Sequence, residues 1–200
     1  MNETLPILLA VYRRQERLPA LMDQLQAQTD QKFVLVSTVN GARKNEGGFG
    51  RYVDFARLGI VSQFAILLDD DVDVRPDFVA WCRASAEPRT VKGRHGRRFG
   101  ASYWDQTFAA PGEECACVSS QGTVLDADLL RDKLLTGAHP DTMIGMEDVW
   151  LCYRASEIGF RVIAADPPVE VIEDGKDSFR ALRTQKEHLL ALLRARGWRQ

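Results

Sequence analysis

The sequence predicts an α/β protein whose mainly parallel central sheet carries helices on both faces. Short, continuously apolar runs at Leu5–Val11, Phe33–Val39 and 64–68 alternate with stretches of helical periodicity. Runs that are apolar at nearly every position suit strands buried on both faces, as parallel strands joined by right-handed helical crossovers are. The bulk numbers agree. A chain of 200 residues, 45% hydrophobic and 27% charged with a net charge of −2, fits one soluble globular domain. They exclude a disordered chain, a fibre and a small disulfide scaffold, and give no global reason to expect a nucleic-acid binder.

Each element has its own signal. The first run is expected as a buried strand. Leu18, Leu21, Met22 and Leu25 recur at i, i+3, i+4, i+7 and predict a helix with one buried face, Pro19 lying in its first turn. The second run is read as another buried strand, and residues 40–48 form a loop by composition. Tyr52, Phe55, Ala56 and Gly59 suggest a second helix. The third run ends directly in Asp69-Asp70-Asp71. Pro76 and Asp77 start a helix that buries Phe78, Val79 and Trp81. Residues 83–98 read as a basic loop. A strand is expected within 118–125, a short helix from Asp126, a helix over 147–158 stopped by Gly159, and short strands over 160–164 and 169–172. A last helix, 177–196, buries Phe179, Leu182, Leu189, Leu190 and Leu193.

The longest clearly apolar run, from Leu5 to Tyr12, is interrupted by Pro6. It is far short of the ~20 residues that span a bilayer. Arg13 and Arg14 follow it where a secretory signal would have small residues. A cytoplasmic protein without a membrane span is therefore expected. Cys82, Cys115, Cys117 and Cys152 lack zinc-site spacing and read as reduced thiols.

In a parallel sheet, ligands bind at the carboxyl ends of the strands. Tyr12, Asn40 and the Asp69–Asp71 run all fall there. Three adjacent carboxylates at a strand end repel one another unless a cation neutralises them, and all-oxygen ligands suit Mg²⁺ or Mn²⁺. The competing reading is a solvated acidic turn. An EF-hand is rejected, because the positions that would need Gly and Glu hold Val74 and Ala80.

The segments PILLAVYRRQERL, FVLVSTVNG, FAILLDDDVDVRPDF and GMEDVWLCYRASEIGFRV together resemble the GT-A-fold glycosyltransferases, in particular the inverting family 2. The resemblance runs from about Leu5 to Phe179. It implies one domain over 1–200, with a nucleotide-binding half (1–75), an acceptor-side half (76–175) and a C-terminal helix (176–200). It also implies a nucleotide-diphospho-sugar donor, UDP-linked, a glycan or other hydroxyl-bearing acceptor, and Mn²⁺ or Mg²⁺ as cofactor.

Matched positions take roles by the same resemblance. Ala10, Val11 and Tyr12 would pack on the nucleotide base, with Arg14 close behind. Asn40 stands where the family commonly has an Asp near the uridine. The stretch 45–51 resembles the loop beside ribose and phosphates, with Arg51 a phosphate contact. Asp69 and Asp71 match the D-x-D metal ligands, Asp70 lying between them on the nucleotide side. Gln121 and Gly122 resemble the floor of the sugar site. Glu147-Asp148 resembles the catalytic pair, with Asp148 as general base; on residue type alone the pair also reads as an acidic first helical turn. Arg154 reads as a phosphate contact, a partner of Asp148 or an exposed arginine, and Trp104 and Trp150 as sugar-stacking or core residues. The family often places a His after the last short strand. This chain has 171–176 as VIEDGK, so either Glu173 or Asp174 substitutes, or Asp71 and the diphosphate hold the metal alone. A nucleotidyltransferase would want a Gly-rich loop after the first strand, and the chain offers Tyr12-Arg13-Arg14-Gln15. A non-catalytic sugar-binding module is the non-enzymatic alternative. The basic stretches 83–98 and 176–200 read as solvated faces in preference to nucleic-acid or membrane contacts.

Overall fold

The computed structural model describes residues 3–12, 14–39, 46–137, 143–172 and 182–198. A six-stranded sheet forms its middle layer, in the order β2-β1-β3-β8-β5-β9. These strands are β1 (Leu5–Val11), β2 (Phe33–Val39), β3 (Phe64–Asp69), β5 (Thr90–Gly93), β8 (Thr123–Asp126) and β9 (Arg161–Ala164). Only β8 is reversed: it pairs antiparallel with β3 and β5, while β1 runs parallel to β2 and β3, and β5 runs parallel to β9. The other five strands therefore all end on one edge. A small pairing of β4 (Val72–Val74) with β10 (Val169–Val171) and a hairpin of β6 (Arg97–Phe99) with β7 (Gln106–Phe108) border that edge.

The pleat sorts the apolar side chains onto two faces. Leu5, Ile7, Leu9 and Val11 of β1, with Phe64, Ile66 and Leu68 of β3, pack towards α1 (Leu18–Gln26) and α3 (Phe78–Ser85). Leu8, Ala65 and Leu67 point the other way, into a larger core with α2 (Phe49–Arg57), α5 (Glu147–Glu157) and α6 (Arg183–Ala195). A short helix α4 (Lys133–Thr136), N-capped by the Asp132 side chain, closes that layer. Strands buried on both faces are why the sequence shows runs without alternation. Among the described residues, no helix is long and apolar enough to cross a membrane.

Several expectations need correction. β2 is the sheet's edge strand and is half-exposed, with Val34 and Val39 reaching solvent. Met22 is exposed, so α1 buries Leu21 and Leu25 only. Residues 83–98 are not a solvated loop. They hold an inner strand, β5, and the buried start of β6, and their basic side chains are occupied: Arg83 with Asp30, Lys92 with Glu87, Arg97 with Asp148, Arg98 with Glu113. The helix expected from Asp126 begins as a 3-10 turn at Leu129, because Asp126 and Ala127 still belong to the strand exit. The last helix is seen from Arg183; the earlier part of that expectation, with Phe179, lies outside the described residues.

Leu67 has no exposed surface and lies in the larger core. Leu67→Ala is expected to lower the unfolding free energy by about 2–5 kcal/mol. Val61→Ala, at a side chain 92% exposed, should stay within about 0.5 kcal/mol. Urea denaturation of the two variants against the parent measures both.

Candidate active site

β2 lies on one side of β1 and β3 on the other, so chain order reverses at β1 and leaves a crevice at the carboxyl ends of β1 and β3. The three aspartates stand at its lip, and they have three different environments. Asp69 ends β3; its Oδ1 accepts from Arg51 Nη1 at 2.7 Å and its Oδ2 from Ser120 Oγ at 2.7 Å. Asp70 turns inward. It is 6% exposed and accepts from the Tyr12 backbone N–H at 2.6 Å, with Arg14 at 3.5 Å. Asp71 accepts from Gln121 Nε2 at 3.0 Å through Oδ2, while its buried Oδ1 has no hydrogen-bond partner among the described residues. Burial first, then the Asp69 charge, push the Asp71 carboxyl up to about 6.

A second acidic pair opens α5. The backbone turns through Gly145, with φ of +79°, and delivers Glu147 and Asp148 to the helix's first turn, where the helix dipole favours negative charge. α2 approaches Glu147 so closely that a Cβ on Gly48 would lie 2.2 Å from its Oε1; only glycine fits there. Glu147 Oε1 sits 3.7 Å from Arg51 Nη2. Burial, opposed by Arg51 and reinforced by Asp148 and Asp69, pushes the Glu147 carboxyl up to about 7. Asp148 is different. Burial alone would raise it, but Arg97 and Lys186 outweigh burial and hold it below the ordinary carboxylate range. Arg97 Nη2 donates to Asp148 Oδ2 at 2.5 Å and Nη1 to the Tyr103 hydroxyl at 2.9 Å.

The guanidinium of Arg51 has no exposed surface and lies between Asp69 and Glu147. It therefore braces carboxylates from below, where a phosphate contact was expected. Val11 is fully buried in the smaller core, so within the expected base-packing trio only Ala10 and Tyr12 keep exposed surface. Asp70 ties the turn to the end of β1 through the Tyr12 N–H, and its carboxylate is buried there beside Arg14. Gly122 donates its N–H to Leu67 O at 3.1 Å and packs beneath Val169 and Phe78. Arg154 pairs with Asp132 through Nε and Nη2 at 3.0 and 2.8 Å. Trp150 is a core residue whose Nε1 donates to Leu134 O at 3.0 Å. Trp104 is partly buried, stacked edge-on to Tyr103 and covered by Arg183. Asn40, Asn45, Glu173 and Asp174 lie outside the described residues.

Sequence reasoning missed Arg97, Tyr103, Ser120 and Lys186. The buried–exposed–buried alternation of Arg97-Arg98-Phe99 shows only in the structure, because two successive arginines give no alternating pattern in sequence. Lys186 reaches Asp148 from a helix 38 positions away, and no spacing rule reports that.

A scan against protein-family models and a search of curated proteins each find no match. Solved structures do match. GalNAc-T7 with UDP, GalNAc and Mn²⁺ superposes with a TM-score of 0.61 at 12% identity, over 86% of this chain and 44% of that one. A mannosyltransferase, PcManGT from Pyrobaculum calidifontis with GDP-Man and Mn²⁺, gives 0.64 at 14%, over 97% and 65%. The chain has the GT-A fold. TarS of S. aureus with UDP-GlcNAc gives 0.58 at 13%, over 87% of this chain and 60% of that one. The chain thus spans less than two thirds of the length of these GT-A structures.

On this fold a divalent ion is implied, and the residues fit one in a particular way. Among the described residues, no group of three or more His, Cys, Asp or Glu side chains could hold a metal ion. Asp71 Oδ1 is nonetheless a buried anionic oxygen lacking a partner, which a cation satisfies. Mg²⁺ usually needs one or two carboxylates and fills its shell with water and phosphate oxygens. Asp69, with both oxygens taken by Arg51 and Ser120, is the weaker of the two expected ligands.

Two expectations follow for the ligand-free protein. A carboxyl whose folded pKa is raised to about 6 costs native stability as pH climbs past its unfolded value near 4, and the loss levels off above pH 6. Asp71→Asn keeps an acceptor for Gln121 and removes that cost, so thermal unfolding at pH 7.5 should rise by the equivalent of about 1–3 kcal/mol. Asp148 has the opposite sign: its depressed pKa stabilises above the unfolded value, and that contribution fades as pH falls through the folded one. Arg97→Ala, which strands the buried Asp148 charge, should cost about 3–5 kcal/mol at pH 7. The deficit should shrink when denaturation is repeated near pH 3.

Proposed function

We propose that the chain is a metal-dependent glycosyltransferase, moving a sugar from a UDP-linked nucleotide-diphospho sugar to an acceptor hydroxyl with inversion. The observation that carries the reading is Asp71, a buried and incompletely paired carboxylate at the β1/β3 crevice of a GT-A fold. Support for the donor class comes from the neighbours, which were crystallised with UDP, UDP-GlcNAc or GDP-Man.

In this reading Asp71 would hold Mn²⁺ or Mg²⁺ together with the donor diphosphate, and the ion would supply positive charge to offset that of the leaving group. Gln121 fixes the Asp71 carboxylate through its amide. Tyr12 and Ala10 present the end of β1 to the nucleotide. Asp148, kept ionised by Arg97, takes the proton from the acceptor hydroxyl as that oxygen attacks the anomeric carbon. Glu147 and Asp69 are held at a set distance by the Arg51 guanidinium between them, so the catalytic helix and the donor edge are positioned as one unit. A base on one side of the anomeric carbon and a neutralised leaving group on the other make an in-line displacement, which inverts configuration.

Calorimetry with UDP, GDP, CDP, ADP and dTDP, each with and without Mn²⁺, tests this. One nucleotide, UDP, should bind in a metal-dependent way, and Asp71→Asn should weaken that binding at least about tenfold. Asp148→Asn should leave nucleotide affinity within about twofold and lower transfer by about 10²–10⁴. Absence of nucleotide binding under every metal condition would sink the reading and leave a non-catalytic domain.

A further inference from the structure

The edge that carries the aspartates continues past β8 to the ends of β5 and β9, and there it opens into a second cleft. It is an open cleft of about 230 Å³, lined by Arg94, His95, Phe108, Ala164 and Asp166, among others. That is less than the roughly 300–1,000 Å³ of sites that bury a whole drug-sized ligand, so it suits one ring of a longer ligand. Two short hydrogen-bonded links join it to the site. Ser119 donates its N–H to Arg94 O at 3.0 Å, and the next residue, Ser120, bonds Asp69. On the other side, Arg97, which holds Asp148, lies two residues beyond His95.

The cleft's chemistry is specific. Phe108 is 65% exposed although it belongs to a paired strand, so its ring is displayed and not packed away. His95 meets it edge-to-face with ring centroids 6.4 Å apart. The His95 backbone has φ of +54°, a left-handed conformation that is uncommon outside glycine and that histidine adopts more readily than most residues. Partial desolvation, then the charges of Arg94 and Arg97, push the imidazole down, so at neutral pH it both donates and accepts. Asp166 is an exposed acceptor that also lines the cleft.

From this geometry we infer a saccharide subsite in which a pyranose ring of the acceptor stacks its C–H face on Phe108, with His95 and Asp166 hydrogen-bonding its hydroxyls. The inference rests on the transferase reading for the word acceptor, but the subsite itself does not. A displayed aromatic flanked by neutral and anionic hydrogen-bonding groups suits a neutral polyol. An anionic polymer suits it less, because the Asp166 carboxylate beside the Arg94 guanidinium leaves the lining without net positive charge.

The test is saturation-transfer NMR on the full chain, in Mg²⁺, with cellobiose, chitobiose, maltose and a mannobiose as probes. At least one disaccharide should receive saturation at its ring C–H protons. Phe108→Ala should cut that signal at least about fivefold and Phe108→Tyr should retain it. Phe108 is exposed, so loss of folding is not expected; circular dichroism and nucleotide calorimetry on the same samples verify that. Nucleotide binding without any saccharide response, or a response unchanged in Phe108→Ala, overturns the subsite. Binding of a short oligonucleotide or of anionic phosphatidylglycerol vesicles in place of the saccharides overturns it as well. Saccharide binding without nucleotide binding leaves the subsite standing and overturns the transferase reading.

Discussion

Five carboxylates crowd one edge of the sheet, and the rest of the structure is arranged around the cost of keeping them there. Asp69, Asp70, Asp71, Glu147 and Asp148 converge from a strand end, a tight turn and a helix start. Three arginines answer them by ion pairing: Arg14 at Asp70, Arg51 at Asp69 and Glu147, Arg97 at Asp148. Each comes from an element that lies outside the β3–β4 turn, so the loop after β1, α2 and β6 are tied to one place. Among the described residues Asp71 is left with an amide and no ion-pair partner. Buried unpaired charge is among the most expensive features a fold can hold, and it collects where a ligand can relieve it.

The consecutive aspartates show how a strand end divides labour. β3 ends at Asp69, and the turn through Asp70 and Asp71 leads directly into β4. Successive side chains therefore leave the backbone in different directions. Asp69 points to the larger core's arginine, Asp70 to the β1 exit, and Asp71 to Gln121. A single acidic run thus supplies a brace, a clamp and an open ligand, although its sequence reads as three equal residues.

What could be read from the sequence was what local pattern determines. β1, α1, β3 and α5 follow from apolar runs and 3.6-residue spacing, and the aspartates stood out because adjacent carboxylates at a strand end are costly; Glu147-Asp148 stood out by the family resemblance, since residue type alone reads as an acidic first helical turn. The failures share a cause. β5 and β6 are only four and three residues long and sit among arginines, so charge masked their burial. A buried arginine looks the same as a solvated one until its partner is known, and the partner of Arg97 lies 51 positions on. The resemblance marks Arg51 as a phosphate contact, but its burial between Asp69 and Glu147 is decided by α2 lying against the sheet, which local pattern does not report. β2 was misjudged because an apolar run does not say whether a further strand covers its outer edge.

The choice of residue opposite Asp71 shows why the edge is left short of one positive charge. A lysine or arginine in the place of Gln121 would neutralise Asp71 permanently and stabilise the ligand-free fold. It would also occupy the carboxylate and repel a divalent ion by direct charge at a few ångströms. An apolar residue would leave Asp71 unoriented and both oxygens unsatisfied. The glutamine amide does neither: it fixes one oxygen by a neutral hydrogen bond and leaves the other with its full charge. The edge is therefore rigid through Asp69, Asp70 and Asp148, whose charges are answered within the chain, and incomplete at one atom. A cation held at that atom would leave the surrounding ion pairs intact.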